Sequence, residues 1–230
     1  MPSYNSESCV ILSIETSAEF ASVSIQRDGF ELYGATFYLP QVHANVVAPL
    51  IEKSLIFSGL NWSQISAVAI GKGPGSYTGL RIATSVAKGI CLARNLPLLS
   101  VSSLENIAFQ VFMENTEADL ALVSLDARRD EIYVALYDRE LHPVLNSKAI
   151  VLGEIDFEKL TTGKKVVLAG SGSDKTFNFY SGISNWKICP HIYSGAKTVG
   201  QLALERAKRQ DYEDVILFEP DYLKPVFIQS

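Results

Sequence analysis

The sequence predicts an α/β protein built from two related halves, each with a mixed β-sheet flanked by helices. Short apolar segments with the pattern of strands alternate with longer segments that have helical periodicity. In addition, aligning Leu12–Thr16 with Val123–Ala127, a shift of 111 residues, superimposes two strand–turn–strand patterns without a gap. A repeat of this length indicates a duplicated domain rather than a solenoid.

The composition is that of an ordinary globular protein. The 230 residues are 47% hydrophobic and 20% charged, which is enough for a sizeable core. No apolar run reaches the roughly 18 residues of a membrane-spanning helix, and Met1–Ser8 lacks the basic and apolar regions of a signal peptide. We therefore expect a cytoplasmic protein that does not contact membranes.

The net charge and the spacing of the cysteines and histidines argue against a nucleic-acid-binding protein and against a metal site. The formal net charge is −5, and residues 104–230 carry the whole excess of acid. Because phosphate contacts need a basic surface, we expect at most a minor direct contact with nucleic acid. The three cysteines and three histidines occur in no spacing that is typical of a metal or redox site, so we expect no metal.

Nine segments have the short apolar or alternating pattern of β-strands. In each half the first two strands are joined by a short turn, which predicts an antiparallel hairpin and makes each sheet mixed. The expected strands are 9–14, 20–26, 31–38, 65–70, 98–101, 119–125, 131–138, 144–151 and 165–169.

Five segments have helical periodicity, and they complete two subdomains. The expected helices are 42–57, 79–94, 102–113, 173–180 and 197–210. We place the first subdomain at 1–103 and a second, smaller one at 104–230, whose C-terminal helix can pack back on the first. No linker-like segment separates them.

The segment 79–94 is apolar on nearly all sides, which predicts a helix covered by neighbours on two faces. One face can pack on its own sheet, and the other needs a second helix or a partner chain. The segment 42–57 is a suitable neighbour, and packing within the chain alone is the alternative. The candidate partner-binding residues on these two helices are Val46, Leu50, Ala83, Val86, Ala87 and Ile90.

A glycine-rich run, Gly71–Arg81, follows a buried strand and leads into the segment 79–94. Glycines let backbone N–H groups approach an anion, and a helix N-terminus adds positive partial charge, so the run is a candidate phosphate cradle. A tight structural turn is the alternative. The run lacks the Gly-Lys-Ser/Thr ending of a P-loop, and Ser76 replaces the last glycine of the dinucleotide fingerprint.

Two acids at strand ends, Glu15 and Asp126, complete a candidate nucleotide cleft between the halves. They could orient a metal–phosphate group or water, or each acid could simply cap its own turn. A second glycine turn at 170–172 is another candidate cradle. The candidate cofactor-binding residues are Glu15, Gly73, Gly75, Ser76, Asp126, Gly170 and Gly172.

Several motifs together resemble the TsaB (YeaZ) family of bacterial threonylcarbamoyladenosine biosynthesis proteins. The resemblance is dense over 9–138 and thin afterwards. The long glycine run is the most specific motif, because the other pieces are short. The motifs are Ile14-Glu15-Thr16-Ser17, His43, Gly71–Arg81, Ala87-Lys88-Gly89, Val101–Glu105, Leu125–Arg129, Gly170-Ser171-Gly172 and Asp221–Lys224.

The resemblance implies an actin/Hsp70-like fold and a non-catalytic role in placing threonylcarbamoyl on adenosine 37 of tRNAs that read codons beginning with A. Its implied partners are a catalytic TsaD-like subunit and a TsaE-like ATPase, with tRNA contacted indirectly and a homodimer formed in isolation. Whether ATP or ADP binds with Mg²⁺, at the cleft or at the interface with the partner, stays open.

The resemblance also implies that no catalytic residue is present. The catalytic relative holds its metal with two histidines, and the matching positions here are Ser103 and Ile107. An isoleucine side chain cannot bind a metal. The strand-end acid is usually Asp in this family and is Glu15 here, which lowers the expectation of ATP hydrolysis. The alternatives are a stand-alone ATPase or kinase and, less favoured, a metallopeptidase.

Overall fold

The computed structural model describes residues 8–38 and 43–224, which form two units. The first unit comprises the described parts of Met1–Ser102 together with Ser194–Pro220, and the second comprises Ser103–Tyr193 with the described part of Asp221–Ser230. Residues 194–220 therefore belong to the first unit, whereas the sequence analysis placed them in the second subdomain. Within the described ranges, no helix combines the length and apolar character that a bilayer span requires.

The first unit is a five-stranded mixed sheet with helices on both faces. Its strand order is β3-β2-β1-β4-β5, in which β1 is antiparallel to β2 and parallel to β4. The strands are β1 (Val10–Glu15), β2 (Ala21–Arg27), β3 (Phe30–Phe37), β4 (Ala67–Gly73) and β5 (Leu98–Ser102). The helices of the first unit are α1 (His43–Ser58), a short 3₁₀ helix (Trp62–Gln64), α2 (Tyr77–Arg94) and, after the second unit, the C-terminal helix Ala196–Lys208.

Alternation along β1 explains the two layers of core. Leu12 and Ile14 belong to a cluster with residues of α1 and α2, whereas Ile11 packs with Val199 and Ala203 of the C-terminal helix. Successive side chains of a strand point to opposite faces, so a fully apolar strand requires helices on both sides. This explains why the first sheet needs a helix from the far end of the chain.

The second unit repeats this plan. Its sheet order, β10-β9-β6-β7-β8, has the same sequence of antiparallel and parallel pairs when β6 replaces β1 and β9 replaces β4. The strands are β6 (Leu120–Asp126), β7 (Glu131–Asp138), β8 (Pro143–Val151), β9 (Val166–Ala169) and β10 (Trp186–Cys189). The helices are α3 (Ser103–Glu114), α4 (Phe157–Leu160) and α5 (Ser173–Phe179), so the C-terminal helix is α6. The duplicated α/β fold is confirmed.

The expected elements differ from the structure mainly in short segments. Two elements of four residues each, β10 and α4, were not predicted from the sequence. Charged residues interrupt both of these short runs, so neither has the continuous apolar pattern that indicated the equally short β9. Helix α2 begins at Tyr77 rather than at residue 79, because Ser76 accepts a hydrogen bond from the backbone N–H of Gly79 and acts as its N-cap.

Candidate functional site

The glycine run joins β4 to α2 within the first unit and lies against the turn that follows β1. Gly71 and Gly73 are part of β4, where they pair with Val101 and Ser102 of β5, and Gly73 has a positive φ of 101°. The backbone N–H of Ser76 donates to the carbonyl oxygen of Ser17 at 2.8 Å. Two of the candidate cradle residues, Gly73 and Ser76, are therefore involved in the connection between β1, β4 and α2.

The glycines of the run allow close contact between this segment and the β1–β2 turn. A Cβ atom on Gly75 would lie 2.4 Å from the carbonyl oxygen of Ser17, and one on Gly79 would lie 2.0 Å from that of Thr16. The Thr16 hydroxyl also donates to the carbonyl oxygen of Gly79 at 2.7 Å. The missing side chains thus make room for the protein's own backbone.

Glu15 lies at the end of β1 and is completely buried. One carboxylate oxygen accepts from the backbone N–H of Ser17 at 2.6 Å, and the other accepts from the hydroxyl of Ser194 at 2.5 Å. A Cβ atom on Gly71 would lie 2.1 Å from the second oxygen. Glu15 therefore caps its own turn and anchors the segment that precedes α6.

These contacts decide whether the first set of candidates fits a Mg²⁺–phosphate group. A metal at Glu15 needs a free carboxylate oxygen with space in front of it, but both oxygens accept internal hydrogen bonds and one faces Gly71. The backbone N–H of Ser76, which a phosphate cradle would need as a donor, already donates to the carbonyl oxygen of Ser17 at 2.8 Å. As arranged here, Glu15 and Ser76 do not fit the group, and Gly73 and Gly75 stay candidates.

The second set of candidates lies at the end of β6 in the second unit. A Cβ atom on Gly170 would lie 2.4 Å from the carbonyl oxygen of Ser124, and one on Gly172 would lie 3.0 Å from the backbone nitrogen of Asp126. The backbone N–H of Asp126 donates to the Ser171 hydroxyl at 3.2 Å. The second glycine turn, like the first, lies directly against the end of a central strand.

Asp126 differs from Glu15 because its side chain is 51% exposed and pairs with Lys175 at 2.9 Å. Its carboxylate also accepts from the backbone N–H of Arg128 at 2.9 Å, which caps the turn after β6. Burial tends to raise the pKa of Asp126, but the hydrogen bonds and positive charges of Lys175 and Arg128 outweigh it and hold that pKa below its usual value. Asp126 is thus an ionised surface acid with a lysine partner.

The positions that correspond to the metal ligands of the catalytic relative lie on α3. Ser103 and Ile107 are both buried, and Ile107 belongs to an apolar cluster with Val123 and Ala169 of the second sheet. Among the residues that the structure describes, no three His, Cys, Asp or Glu side chains come together as a metal site. The side chain of His43, which belongs to one of the motifs, lies outside the described part.

The structure divides the six candidate partner-binding residues into two groups. Val46, Leu50, Val86 and Ile90 are half-buried at the edge of the core formed by α1, α2 and the first sheet. Ala83 and Ala87 are fully buried in that core, so their assignment to a docking surface is wrong. Both alanines lie on the side of α2 that faces the sheet, and small residues there let the helix approach closely.

The exposed side of α2 carries other residues. A shallow groove of about 490 Å³ runs along its first three turns and is lined by Tyr77, Thr78, Arg81, Ile82, Ser85 and Val86. Further along, Leu92 is exposed, and Ile56 and Phe57 are exposed at the end of α1. Val86 is one of the candidate partner-binding residues, but the others were not indicated by the sequence, because a helix that is apolar on all sides gives no periodicity to locate its outer face.

Known proteins resemble this chain in sequence. The family model described as TsaD, tRNA N6-adenosine threonylcarbamoyltransferase, matches residues 39–219. A protein from Buchnera aphidicola subsp. Baizongia pistaciae, named tRNA threonylcarbamoyladenosine biosynthesis protein TsaB, is 32% identical over 170 residues, which cover 72% of this chain and 76% of that protein. The chain belongs to the TsaB (YeaZ) family. The TsaB protein of Escherichia coli K12 is 35% identical over 154 residues, 65% of each chain.

The TsaB family is also recognised in the fold. A crystal structure from Pseudomonas aeruginosa, described as an uncharacterized protein with similarity to peptidase YEAZ, matches with a TM-score of 0.83 at 24% identity and covers 94% of this chain and 100% of that one. An activator of 2-hydroxyisocaproyl-CoA dehydratase from Clostridium difficile matches with a TM-score of 0.54 at 13% identity. The actin/Hsp70-like fold expected from the sequence is confirmed.

Two residues of these sites had no signal in the sequence. Ser194 reaches Glu15 from 179 positions away, and Lys175 pairs with Asp126 across 49 positions. Neither lies in a motif shared with the TsaB family. Contacts of this kind depend on the tertiary fold, which brings the loop before α6 to the end of β1 and α5 to the end of β6.

Proposed function

We propose that this protein is a non-catalytic subunit required for the threonylcarbamoyl modification of adenosine 37 in tRNAs that read codons beginning with A. It acts by binding a catalytic TsaD-like subunit, in a pathway that also uses a TsaE-like ATPase. Membership of the TsaB family, whose proteins are named for threonylcarbamoyladenosine biosynthesis, supports the pathway. The matched segment spans 65% of the length of the E. coli relative.

The observation that carries the non-catalytic part is the state of Glu15. In a nucleotide-using relative this strand-end acid would have to face a metal–phosphate group, and here its two oxygens are held by Ser17 and Ser194. The buried Ile107, at a metal-ligand position of the catalytic relative, supports the same conclusion. Nucleotide binding at the interface with the partner is compatible with this proposal, because it does not require Glu15 or Ile107 to hold a metal–phosphate group.

The partner-binding part of the proposal rests on the α1–α2 face, defined here as Val46, Leu50, Val86 and Ile90. These four apolar side chains are half-buried in the isolated unit, and they adjoin the groove along α2. Apolar residues at the centre of an interface carry most of its binding energy once a partner excludes water. A second helix pair of similar character is the partner surface that fits this face.

The proposal is tested with variants of α2 in the full-length protein. Val86→Glu should weaken binding to the TsaD-like protein of the same organism at least about tenfold, since docking would bury an unpaired charge. Binding is measured by titration calorimetry, and threonylcarbamoyladenosine in bulk tRNA is measured in cells that depend on each variant. Leu160→Glu, at an exposed apolar position in the second unit, is the matched control.

Two results would contradict the proposal. Undiminished threonylcarbamoyladenosine after depletion of the protein would remove it from the pathway. Unchanged affinity of a folded Val86→Glu variant would remove the α1–α2 face from the interface. Ala87→Glu cannot serve as this test, because Ala87 lies in the core and its substitution would unfold the first unit.

A further inference from the structure

The turn between β6 and β7 holds two consecutive arginines in a backbone conformation that arginine rarely adopts. The φ angles of Arg128 and Arg129 are 68° and 49°, in the left-handed region that usually takes glycine or asparagine because a Cβ atom is crowded there. Among the described residues, no other two consecutive non-glycine residues both have a positive φ. Strained backbone of this kind concentrates at binding and catalytic sites, so the turn is a candidate for one.

Backbone hydrogen bonds hold the turn, and they do not use the arginine side chains. The backbone N–H of Arg128 donates to the Asp126 carboxylate at 2.9 Å, and that of Glu131 donates to the carbonyl oxygen of Arg128 at 3.1 Å. The backbone N–H of Leu152, after β8, donates to the carbonyl oxygen of Asp130 at 2.9 Å. Both arginines therefore belong to a fixed turn, so that binding a ligand would cost little backbone entropy.

Two acids beside the turn are already paired with lysines, whereas the two arginines are not paired. Asp126 pairs with Lys175 at 2.9 Å, and Glu131 pairs with Lys224. Within the described part of the chain, both arginine side chains are exposed and neither forms a salt bridge. Arg128 acts on Asp126 only at longer range. Since the lysines offset those two acids, the arginines are the cations that remain available to a ligand.

A phosphate group is the ligand that suits two neighbouring guanidinium groups. Each guanidinium presents a planar fork of N–H donors that matches two phosphate oxygens, and it stays charged at any physiological pH. The one further acid of the turn, Asp130, offsets a single arginine at most, so the turn stays positive although residues 104–230 carry a net negative charge. A carboxylate of a protein partner is the alternative ligand, but the turn lies in a different unit from the α1–α2 face on which we place that partner.

We propose that the Arg128–Arg129 turn binds the phosphate backbone of the tRNA directly while the TsaD-like partner modifies adenosine 37. This inference rests on the proposed function, because that function brings the tRNA to the protein. Contacts to phosphate position a nucleic acid without reading its bases, which suits a protein that acts on several tRNAs of different sequence. The net charge of −5 keeps the contact weak in the isolated protein, so its effect should be seen mainly in the complex.

The test compares two double variants that remove the same charge from the second unit. Arg128→Gln with Arg129→Gln removes the proposed contact, and Lys164→Gln with Lys165→Gln, at another exposed turn, is the matched control. Binding of fluorescently labelled tRNA to the complex with the TsaD-like partner is measured by anisotropy at several salt concentrations. The arginine variant should raise the dissociation constant at least about tenfold and reduce the salt slope by about 1–2. The lysine control should change the constant by less than about twofold.

Calorimetry with the TsaD-like partner separates this proposal from the proposed function. The arginine variant should bind that partner as tightly as the wild type does. Weaker partner binding would assign the turn to a protein contact and overturn the proposal, as would tRNA binding that falls no further than in the lysine control. If the wild type forms no complex, the proposed function fails, and the same titration of the protein alone at low salt still decides the contact.

A third variant guards against a loss of binding that is caused by unfolding. Arg129→Gly removes one guanidinium and also relieves the strain at this position, because glycine adopts a positive φ readily. It should therefore weaken tRNA binding without lowering Tm. Wild-type affinity for tRNA in this variant, together with wild-type affinity in the double arginine variant, would exclude the turn from the tRNA contact.

Discussion

At the scale of single residues, Glu15 shows how a strand-end carboxylate can serve structure instead of chemistry. It is fully buried, and its two oxygens accept from the Ser17 amide and the Ser194 hydroxyl. The additional methylene of Glu relative to Asp lets the carboxylate reach both donors while it passes Gly71. A residue that the sequence places in the candidate nucleotide cleft therefore joins the loop before α6 to the end of β1.

Replacing Glu15 should consequently cost stability. In Glu15→Ala the Ser17 N–H and the Ser194 O–H lose their acceptor inside the protein, and we expect the free energy of unfolding to fall by about 2–4 kcal/mol. Urea denaturation followed by circular dichroism measures the change. Asp126→Ala, at an exposed acid, is the control and should change it by less than about 1 kcal/mol. Equal effects of the two substitutions would refute the structural role of Glu15.

Asp126 provides a prediction about pH. Its lowered pKa depends on Lys175 and on the Arg128 amide, which together outweigh burial, so Lys175→Met should raise that pKa. Because the folded-state pKa lies below the unfolded value, the pair stabilises the protein above pH 3.8, and this stabilisation is lost as the pH falls through the lowered pKa. At neutral pH it should be at most about 1 kcal/mol for so exposed a pair.

The measurement for Asp126 is a carboxyl-detected NMR titration of the wild-type and Lys175→Met proteins. Urea denaturation at neutral pH and at pH 3 gives the matching stabilities. The part of the stability difference that depends on ionisation of Asp126 should be larger at neutral pH than at pH 3, because protonation of Asp126 removes its attraction to Lys175. An unshifted Asp126 resonance midpoint in Lys175→Met would show that Lys175 does not set its pKa.

At the scale of elements, α2 contains two glycines with opposite roles. One is required by close packing, and the other only lowers the stability of the helix. A Cβ atom on Gly79 would lie 2.0 Å from the Thr16 carbonyl oxygen, whereas one on Gly89 would have no neighbour within 4 Å. Gly79→Ala should therefore destabilise the protein by about 1–3 kcal/mol. Gly89→Ala should stabilise it by about 0.5–1 kcal/mol, because alanine restricts the unfolded chain.

Thermal unfolding compares these two variants directly. Each kcal/mol corresponds to a shift of roughly 2–4 °C for a chain of this size, so the two substitutions should move Tm in opposite directions. Binding of the TsaD-like partner provides a second readout for Gly89→Ala, which lies on the exposed side of α2. A Gly79→Ala variant as stable as the wild type would show that the glycine run is not packed as described.

Most of the helices and strands could be predicted from the sequence. Hydrophobic patterning located nine strands and five helices, among them the four-residue β9, which is apolar and buried throughout, and the repeat at 111 residues identified the duplicated sheets. It did not locate β10, which has the same length but is interrupted by Lys187. It also placed Ala83 and Ala87 on the wrong side of α2, since a helix apolar on all sides does not indicate which side meets the sheet.

The candidate site was less predictable than the fold, for a physical reason. A glycine run has the same sequence whether it makes room for a phosphate or for a neighbouring strand, and only the positions of Thr16 and Ser17 decide between the two. The capping role of Glu15 was one of two alternatives on local grounds, but its bond to Ser194 depends on α6 returning to the first unit. That return is a property of the whole chain.

At the scale of the whole molecule, the chain leaves the first unit after residue 102, forms residues 103–193 of the second unit and returns to the first unit at residue 194. Helix α6 then covers the face of the first sheet that carries Ile11 and Leu99, with Val199 and Ala203 fully buried against it. Glu213 covers the β5 edge, and Phe218 belongs to the core that also contains residues of α1 and α2. The first unit is therefore encoded by two separate segments.

This arrangement predicts that residues 1–102 alone cannot fold. Without α6 one face of the first sheet would expose its apolar residues to water, and each large side chain contributes about 1.5–3 kcal/mol on burial. A chain in which a flexible linker of glycine and serine joins residue 102 directly to residue 194 should fold, since both segments of the unit are then present. Dispersion of the ¹H–¹⁵N correlation spectrum and cooperative urea unfolding measure the outcome.

The linked chain carrying Val199→Asp should not fold, because the aspartate would be buried without a partner. Cooperative unfolding of residues 1–102 alone would show that α6 is an accessory to the first sheet rather than half of its core.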